Sequence, residues 1–572
     1  MQRSEWNISK SEVSSDVGVV ATMYGPATEA GVEMLQRGGN AVDAAVAAGF
    51  AVGVVEPFNS GLGGIAIMVY HEARTNKTWI IDGTLTLPQA IKPDQFRISD
   101  PDAPAGIYGW PSVENDANNT GVLTPGVPGM PGCLLRALER FGTLGRDETM
   151  APAIRHAEDG YPIDWYVCLA MAVNQHRLAM FPESRRVFYR EDGTSYRAPM
   201  LGVEGDTFAQ PDLARTLRLI AAEGPDAFYR GPIAEAISAD MAEMGGPLRY
   251  EDFAGYEPRI VEGGIAADYR GYNIVGGLDN SGFPTVLQAL NILEGFDVAG
   301  MEPGSVEELH LMAEAQRLAF LDRHKYLGDQ ETASIPLDGI LSKPYATERR
   351  GAFDPAAAGT AATAGAPWPF NGGGTPSDLP PGNAGDSNTT HLTVIDKDRN
   401  MVSLLSTLGQ HFGSAVVPRG TGIVLNNATM WFDPQPGRIN SILPGRRGMT
   451  AGAPVIVTRD GKPVMATGAP GGRRVISSVI QTISNVLDHG MGPQEAVTRP
   501  RIHSEGPKTE VDQRVGQERV DALAALGHDI EAKEETFSTS YFGRPLAITV
   551  DPEGGRLKGG VNQLKPALAI GL

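Results

Sequence analysis

From Gly351 to Asn388 the chain is dominated by Gly, Ala, Pro, Ser and Asn, and directly after this stretch Thr389 opens a strand-like run. A segment of that composition cannot bury enough apolar surface to offset the entropy of ordering it. The sequence therefore predicts a mobile linker over 351–388 that ends where a folded unit begins. The break separates a larger part, 1–388, from a smaller part, 389–572, of one composite domain. Upstream of it, strand-like and helix-like patterns alternate. Val17 to Ala21 reads as a buried strand, and Pro26 to Arg37 as a helix stopped by Gly38-Gly39. Asn40 is placed to cap the next apolar helix, with Asp43 three residues on. Val306 to Leu327 reads as an amphipathic helix with Leu309, Met312, Ala313, Leu318 and Leu321 along one side.

Two hairpin-like units follow the break. The first pairs Thr389–Ile395 with Met401–Leu408 across a turn at 396–400. Folded symmetrically about Asp398, it sets Thr389 opposite Thr407, and directly paired residues have Cβ atoms roughly 4.5–5.5 Å apart. A slip of one residue would part the two hydroxyls. The second pairs Ala453–Thr458 with Pro463–Gly468, sets Thr450 opposite Gly471, and runs through Ala469-Pro470-Gly471-Gly472 into a helix from about Arg474. Backbone N–H groups at such a strand-to-helix entry lack intrahelical acceptors and favour negative charge.

These pieces suggest acyl transfer. A hydroxyl nucleophile needs a base and an oxyanion hole. Cutting the bond after Asn388 would place an α-amine on the same residue as the Thr389 hydroxyl, and such an amine titrates at about 7.7–8.0. Gly471 and Gly472 could supply the oxyanion donors. Taken alone, Thr-Thr in a strand is commonly just strand, and Gly-Gly before a helix just a turn.

Composition narrows the partners. A formal charge of -20 argues against nucleic acid and against an anionic membrane surface. Two cysteines, Cys133 and Cys168, support neither a disulfide framework nor a zinc cluster. No apolar leader opens the chain, so the cytoplasm is the expected location. The longest apolar stretch, Ala41 to Val55, is too short to span a bilayer.

The motifs also occur together in a known family. Asp386-Ser387-Asn388-Thr389-Thr390-His391 with Val394-Ile395-Asp396-Lys397-Asp398 resembles the processing site of γ-glutamyltransferases. Gly422 to Asn427 and Thr467 to Gly472 resemble later motifs, and Gly38 to Ala45, Thr124 to Gly129 and Leu311 to Ala315 resemble earlier ones. The resemblance spans nearly the whole chain in order. It implies an αββα Ntn-hydrolase sandwich of two stacked, mostly antiparallel sheets. It further implies self-cleavage at Asn388–Thr389 into associated large and small chains, with a dimer of these left open. Thr389 would be the nucleophile, Thr407 its supporting hydroxyl, and Gly471 and Gly472 the oxyanion hole. No metal or organic cofactor is implied. The substrates would be a small-molecule amide and water or an amine.

The departures concern substrate. Thr84 stands where the family carries an Arg for the glutamyl α-carboxylate. Asn426-Asn427 is followed by Ala428-Thr429-Met430-Trp431, without the family's ammonium-binding Asp. The Ser-Ser pair becomes Thr450-Ala451, and the Asn two positions after the supporting Thr becomes Gly409. Losing both charged anchors, each worth roughly 1.5–3 kcal/mol, predicts an acyl donor without the free amino-acid head, as in the cephalosporin-acylase-like branch. Thr84, Asn427, Trp431, Thr450 and Arg474 are the candidate substrate contacts, and Arg446, Arg447 and Arg473 flank the same region. His391 is expected to pack rather than catalyse, and Asp433 to serve a turn. A genuine γ-glutamyltransferase and a non-catalytic binding protein of the same fold are the alternatives. A metallohydrolase or nucleotide enzyme lacks its motif here, since Gly61-Leu62-Gly63-Gly64 is no phosphate loop.

Overall fold

The structure, a computed structural model, describes residues 8–105, 110–331, 333–359, 363–373 and 388–572. Two seven-stranded antiparallel sheets form its centre. Their strands are β1 (Val13–Ser15), β2 (Val19–Thr22), β3 (Ile65–Glu72), β4 (Lys77–Gly83), β5 (Arg259–Glu262), β6 (Ile265–Tyr269) and β7 (Tyr272–Gly276), followed by β8 (Asn388–Ile395), β9 (Met401–Gly409), β10 (Val455–Arg459), β11 (Lys462–Gly468), β12 (Leu546–Val550), β13 (Leu557–Val561) and β14 (Leu568–Gly571). One sheet runs β1-β13-β12-β11-β10-β7-β6, and the other β14-β2-β8-β9-β3-β4-β5. The expected αββα sandwich is therefore present, and strands from before and after residue 388 interleave in both sheets.

Alternation along the strands builds the layers. Val19, Ala21, Ile67, Val69, Ile395 and Met401 meet Ile456, Ala466 and Ile548 between the sheets. Val20, Met68, Val394, Val402 and Leu404 point the other way, under helices α1 (Gly25–Gln36), α2 (Ala41–Val55) and α3 (Met130–Phe141). The sheet that contains β7, β10, β11 and β12 is covered by α4 (Phe283–Leu293), α5 (Val306–Tyr326) and α6 (Arg474–Leu487). Helix α2 is buried along its whole length, and Asn40 and Asp43 form the capping box read from the sequence.

Helix α5 departs from the expected amphipathic pattern. Leu321 is only half-buried, while Glu308, His310, Glu314, Gln316, Asp322 and Arg323 are buried. These polar groups bond to neighbouring elements: Gln288 and Tyr345 reach Asp322, and His489 and Arg499 reach Glu308. Helix α5 is thus an interior helix whose polar face is largely bonded, with Gln316 Nε2 and Arg323 Nε left without a hydrogen-bond partner.

The first hairpin has the predicted register, with Ile395 opposite Met401 and Thr390 opposite Ser406. Its turn is fastened by Asp396, whose carboxylate accepts from the N–H groups of Asp398 and Asn400 at 2.9 and 3.0 Å, and from Ala41 N at the start of α2 at 2.8 Å. The second hairpin turns through Asp460-Gly461, both at positive φ as a two-residue type I′ loop requires. Its register then shifts between Thr458–Pro463 and Val457–Met465, so Val464 is an extra residue. Pro463 cannot donate to the ladder and so belongs beside such a bulge. This corrects the expected pairing of Thr450 with Gly471, because the strands end at Val455 and Gly468.

Part of the Gly/Ala/Pro-rich stretch is packed. Asp354 O accepts from His310, Ala358 N donates to Leu526 O, and Gly365 bonds Asp322 and Tyr326. For these packed residues this corrects the mobile linker expected over 351–388; its portions 360–362 and 374–387 lie outside the described residues.

Asp396→Ala removes an acceptor from three backbone donors at once and is expected to cost about 2–4 kcal/mol. Urea unfolding checks this, and a loss under about 1 kcal/mol would show the turn to be fastened by other groups.

Candidate active site

Strand β8 begins at Asn388, and the ladder is irregular there. Asn388 faces Gly409 and Thr390 faces Ser406, so the single residue Thr389 stands opposite Thr407 and Leu408. The bulge brings Thr407 under the bond between Asn388 and Thr389. Its hydroxyl donates to the Asn388 carbonyl and accepts from Gly409 N at 2.9 Å. A side chain at Gly409 is excluded, since its φ is +104° and a Cβ would stand 2.0 Å from Asn427 Oδ1. Asn427 also accepts from Gln410 N and donates to Asn119 O. It therefore braces the end of β9, with both ends of its amide engaged inside the fold.

A second brace lies on β9. Asn59 accepts from Leu408 N through its carbonyl at 3.0 Å and donates from its amide to Glu56 Oε1 at 2.8 Å. Burial pushes the Glu56 carboxyl up from 4.5 to about 7, against the Thr390 hydroxyl, Asn59 and the Arg544 charge, which favour ionisation, while Asp164 opposes it.

The two hairpins are bonded across the sheets. Ser403 Oγ donates to Thr467 O at 2.8 Å, accepts from Val455 N at 3.1 Å and meets His391 Nε2 at 3.2 Å. Gly468 lacks a side chain where the His391 ring lies; a Cβ there would come within 2.1 Å of it. Beyond Gly468 the chain turns through Pro470, whose carbonyl accepts from Arg544 N, and through Gly471 and Gly472 at φ of +135° and +64°. A Cβ on Gly471 would stand 2.6 Å from Gly543 Cα. Two glycine amides thus precede α6, at an end whose dipole favours an anion. Burial drives the His391 pKa down to about 3, so the imidazole is neutral and packed, as expected.

The candidate substrate residues divide. Thr84 and Thr450 come together through Asn280, which bonds Thr84 Oγ1 and Gly448 O from its amide and accepts from Thr450 N through its backbone at 2.8 Å. Trp431 is buried among Ile65, Leu85, Leu87, Phe432 and Ile442, and its indole N–H has no acceptor. Arg474 is forked onto Glu510 at 2.9 and 3.0 Å, which fixes the start of α6. Asp433 turns the chain, accepting from Gln435 N and pairing with Arg438. Asn280, Glu56 and Asn59 were not apparent from the sequence. No spacing relates them to Thr389, and only the fold brings them near it.

Two variants probe this geometry. Thr389→Ala should leave the chain at 60.7 kDa, while Thr407→Val should slow cleavage about 10²–10³-fold, both followed on denaturing gels. Cleavage of Thr407→Val at the normal rate would leave its bond to the Asn388 carbonyl without consequence. For Glu56, a folded pKa above the unfolded value means stability falls as pH rises from 4.5 through about 7. Glu56→Gln removes that dependence. Its unfolding free energy relative to wild type should therefore rise by about 2–3 kcal/mol between pH 4.5 and 8, and parallel pH profiles would contradict the assignment.

The sequence profile described as Gamma-glutamyltranspeptidase matches residues 27–571. The Glutathione hydrolase proenzyme of Bacillus subtilis (strain 168) is 34% identical over 561 residues, covering 97% of this chain and 91% of its own. The Acylase ACY 1 proenzyme of Pseudomonas sp. (strain SE83) is 34% identical over 555 residues, covering 96% and 93%. Among solved structures, cephalosporin acylase from Bacillus halodurans superposes with a TM-score of 0.84 at 29% identity, covering 100% of this chain and 99% of its own.

Proposed function

The chain belongs to the gamma-glutamyltranspeptidase family, and from that membership we propose that it is a self-processing N-terminal-threonine amidohydrolase acting on acyl donors without a free amino-acid head. In maturation the Thr389 hydroxyl adds to the Asn388 carbonyl carbon, and its proton passes to the Thr389 nitrogen. The C–N bond then breaks, leaving an ester on Thr389 Oγ and a free α-amine. Water hydrolyses the ester and releases residues up to Asn388. In turnover the α-amine takes the Thr389 hydroxyl proton, Oγ adds to the substrate amide, and the Gly471 and Gly472 N–H groups hold the oxyanion. The amine leaving group takes a proton, and water or an amine resolves the acyl-enzyme. The single observation carrying this reading is the Thr407 hydroxyl on the Asn388 carbonyl, at a bulge that sets Thr389 opposite two residues.

The donor preference draws on the pocket side. Thr84 is uncharged and bonded to Asn280, and the Ala428–Trp431 turn is buried and carries no carboxylate. A free ammonium would find no counter-charge in that turn. A genuine γ-glutamyl enzyme is the second reading, favoured by the similarity to Glutathione hydrolase proenzymes. The matured protein should release p-nitroaniline from the glutaryl amide at least as fast as from the γ-glutamyl amide. A tenfold preference for γ-glutamyl, about 1.4 kcal/mol, would overturn the donor assignment and leave the maturation chemistry intact.

A further inference from the structure

Most charged side chains around the two hairpins are met by partners of ordinary geometry. Arg474 is forked onto Glu510, Arg473 pairs with Glu505 at 3.1 Å, and Arg447 donates to Thr84 O and Glu257 O. Glu56 is met only in part. Its Oε1 accepts from Asn59 Nδ2 at 2.8 Å, while its Oε2 is buried without a hydrogen-bond partner. Thr390 Oγ1, on the residue directly after Thr389, is buried in the same condition. The two are neighbours, because the Thr390 hydroxyl is among the groups that favour the ionised Glu56 carboxyl. Their surroundings are dry: Glu56, Asn59 and Thr390 are each at most 2% exposed. Tyr24, Tyr161 and Tyr166 stand near the carboxyl, with Asp164 and Arg544 as its charged neighbours. Two adjacent polar atoms in such a place are costly unless they bond each other.

Glu56 also ends α2, and its carbonyl closes the following turn by accepting from Asn59 N and Ser60 N at 3.0 and 3.2 Å. The chain from this turn to Gly64 grips β9 on three successive residues. Ser60 Oγ lies 2.8 Å from Ser406 Oγ. Gly64 approaches Thr407 so closely that a Cβ would stand 2.4 Å from its carbonyl oxygen. Asn59 O accepts from Leu408 N at 3.0 Å. Thr407 is the residue whose hydroxyl meets the Asn388 carbonyl, and Ser406 is the register partner of Thr390. The Glu56 carboxyl therefore stands between the segment that holds β9 and the first paired residue of β8 after the bulge.

We propose that Glu56 is a positioning residue for self-cleavage: by linking Thr390 to Asn59 it fixes β8 against β9 across the bulge, and so holds the Asn388–Thr389 bond over the Thr407 hydroxyl. The proposal rests on the self-processing reading above. A carboxyl suits the task in either protonation state. The acid donates from one oxygen and accepts at the other, and the carboxylate accepts from both Asn59 and Thr390. Glutamine keeps one donor and one acceptor, whereas leucine keeps neither.

The test follows the appearance of two fragments on denaturing gels for wild type, Glu56→Leu, Glu56→Gln and Thr390→Val. Glu56→Leu and Thr390→Val should each slow cleavage by about thirtyfold or more, since a small misplacement of reacting atoms is costly. Glu56→Gln should recover most of the rate, which a loss of packing alone would not allow. The double variant Glu56→Leu/Thr390→Val should be no slower than the slower single one, because both remove the same link. Normal cleavage in either single variant, or losses that multiply in the double, overturns the assignment. Should Glu56→Leu fail to fold, Thr390→Val decides alone, since it exchanges one hydroxyl for one methyl. A purified wild type that stays at 60.7 kDa overturns the self-processing reading together with this proposal. A wild type that cleaves while the variants keep pace overturns only the role of Glu56.

Discussion

The pairing of β8 with β9, broken by one bulge at Thr389, is the interaction on which the rest of the site depends. The hairpin sits inside its sheet, β8 against β2 and β9 against β3. A residue at the start of a central strand is held by ladders that a cut at residue 388 does not break. The bulge then sets Thr407 and Leu408 against one residue, which turns the Thr407 hydroxyl onto the Asn388 carbonyl. Without the bulge the ladder would continue and the carbonyl would be an ordinary backbone acceptor. With it, the Asn388 carbonyl accepts from a side chain that Gly409 N orients.

The surrounding chemistry follows from how dry this region is. His391 is on the same strand, yet burial keeps it neutral and Ser403 engages its Nε2. It orders the crossing of the two hairpins rather than moving protons. On the proposed mechanism a base for the Thr389 hydroxyl comes from the residue itself, which links chain cleavage to catalysis: the cut creates the amine. The glycine turn is fixed by the same crossing, since Ser403 bonds β11 at Thr467, five residues before Gly472.

How much of this the sequence disclosed depended on whether a feature was local. The first hairpin was legible because alternation and an Asp-rich turn agree about Asp398. The second slipped at Val464, where Pro463 marks irregularity without giving its direction. The helix from Val306 was legible in length and illegible in environment. Its polar residues, which read as a solvent face, are bonded to groups brought by Gln288, Tyr345, His489 and Arg499. Asn427 and Arg474 were read as substrate contacts from their motif positions, yet Asn427 braces β9 and Arg474 is forked onto Glu510. Glu56, Asn59, Asn280 and Glu505 were silent, because a single polar residue carries no spacing that points to a partner hundreds of positions away.

The same distinction explains why the reaction and its substrate are so differently encoded. The groups proposed to react sit on two hairpins and one turn, where backbone geometry leaves few choices: a bulge, two glycines at positive φ, a hydroxyl beneath a carbonyl. The acyl end is lined by elements from both sides of residue 388, joined through Asn280 and Arg323. The Ala428–Trp431 turn, which carries no carboxylate, is closed by the apolar packing of Ile65, Leu85 and Ile442. A buried carboxylate placed there would have to be desolvated without a partner.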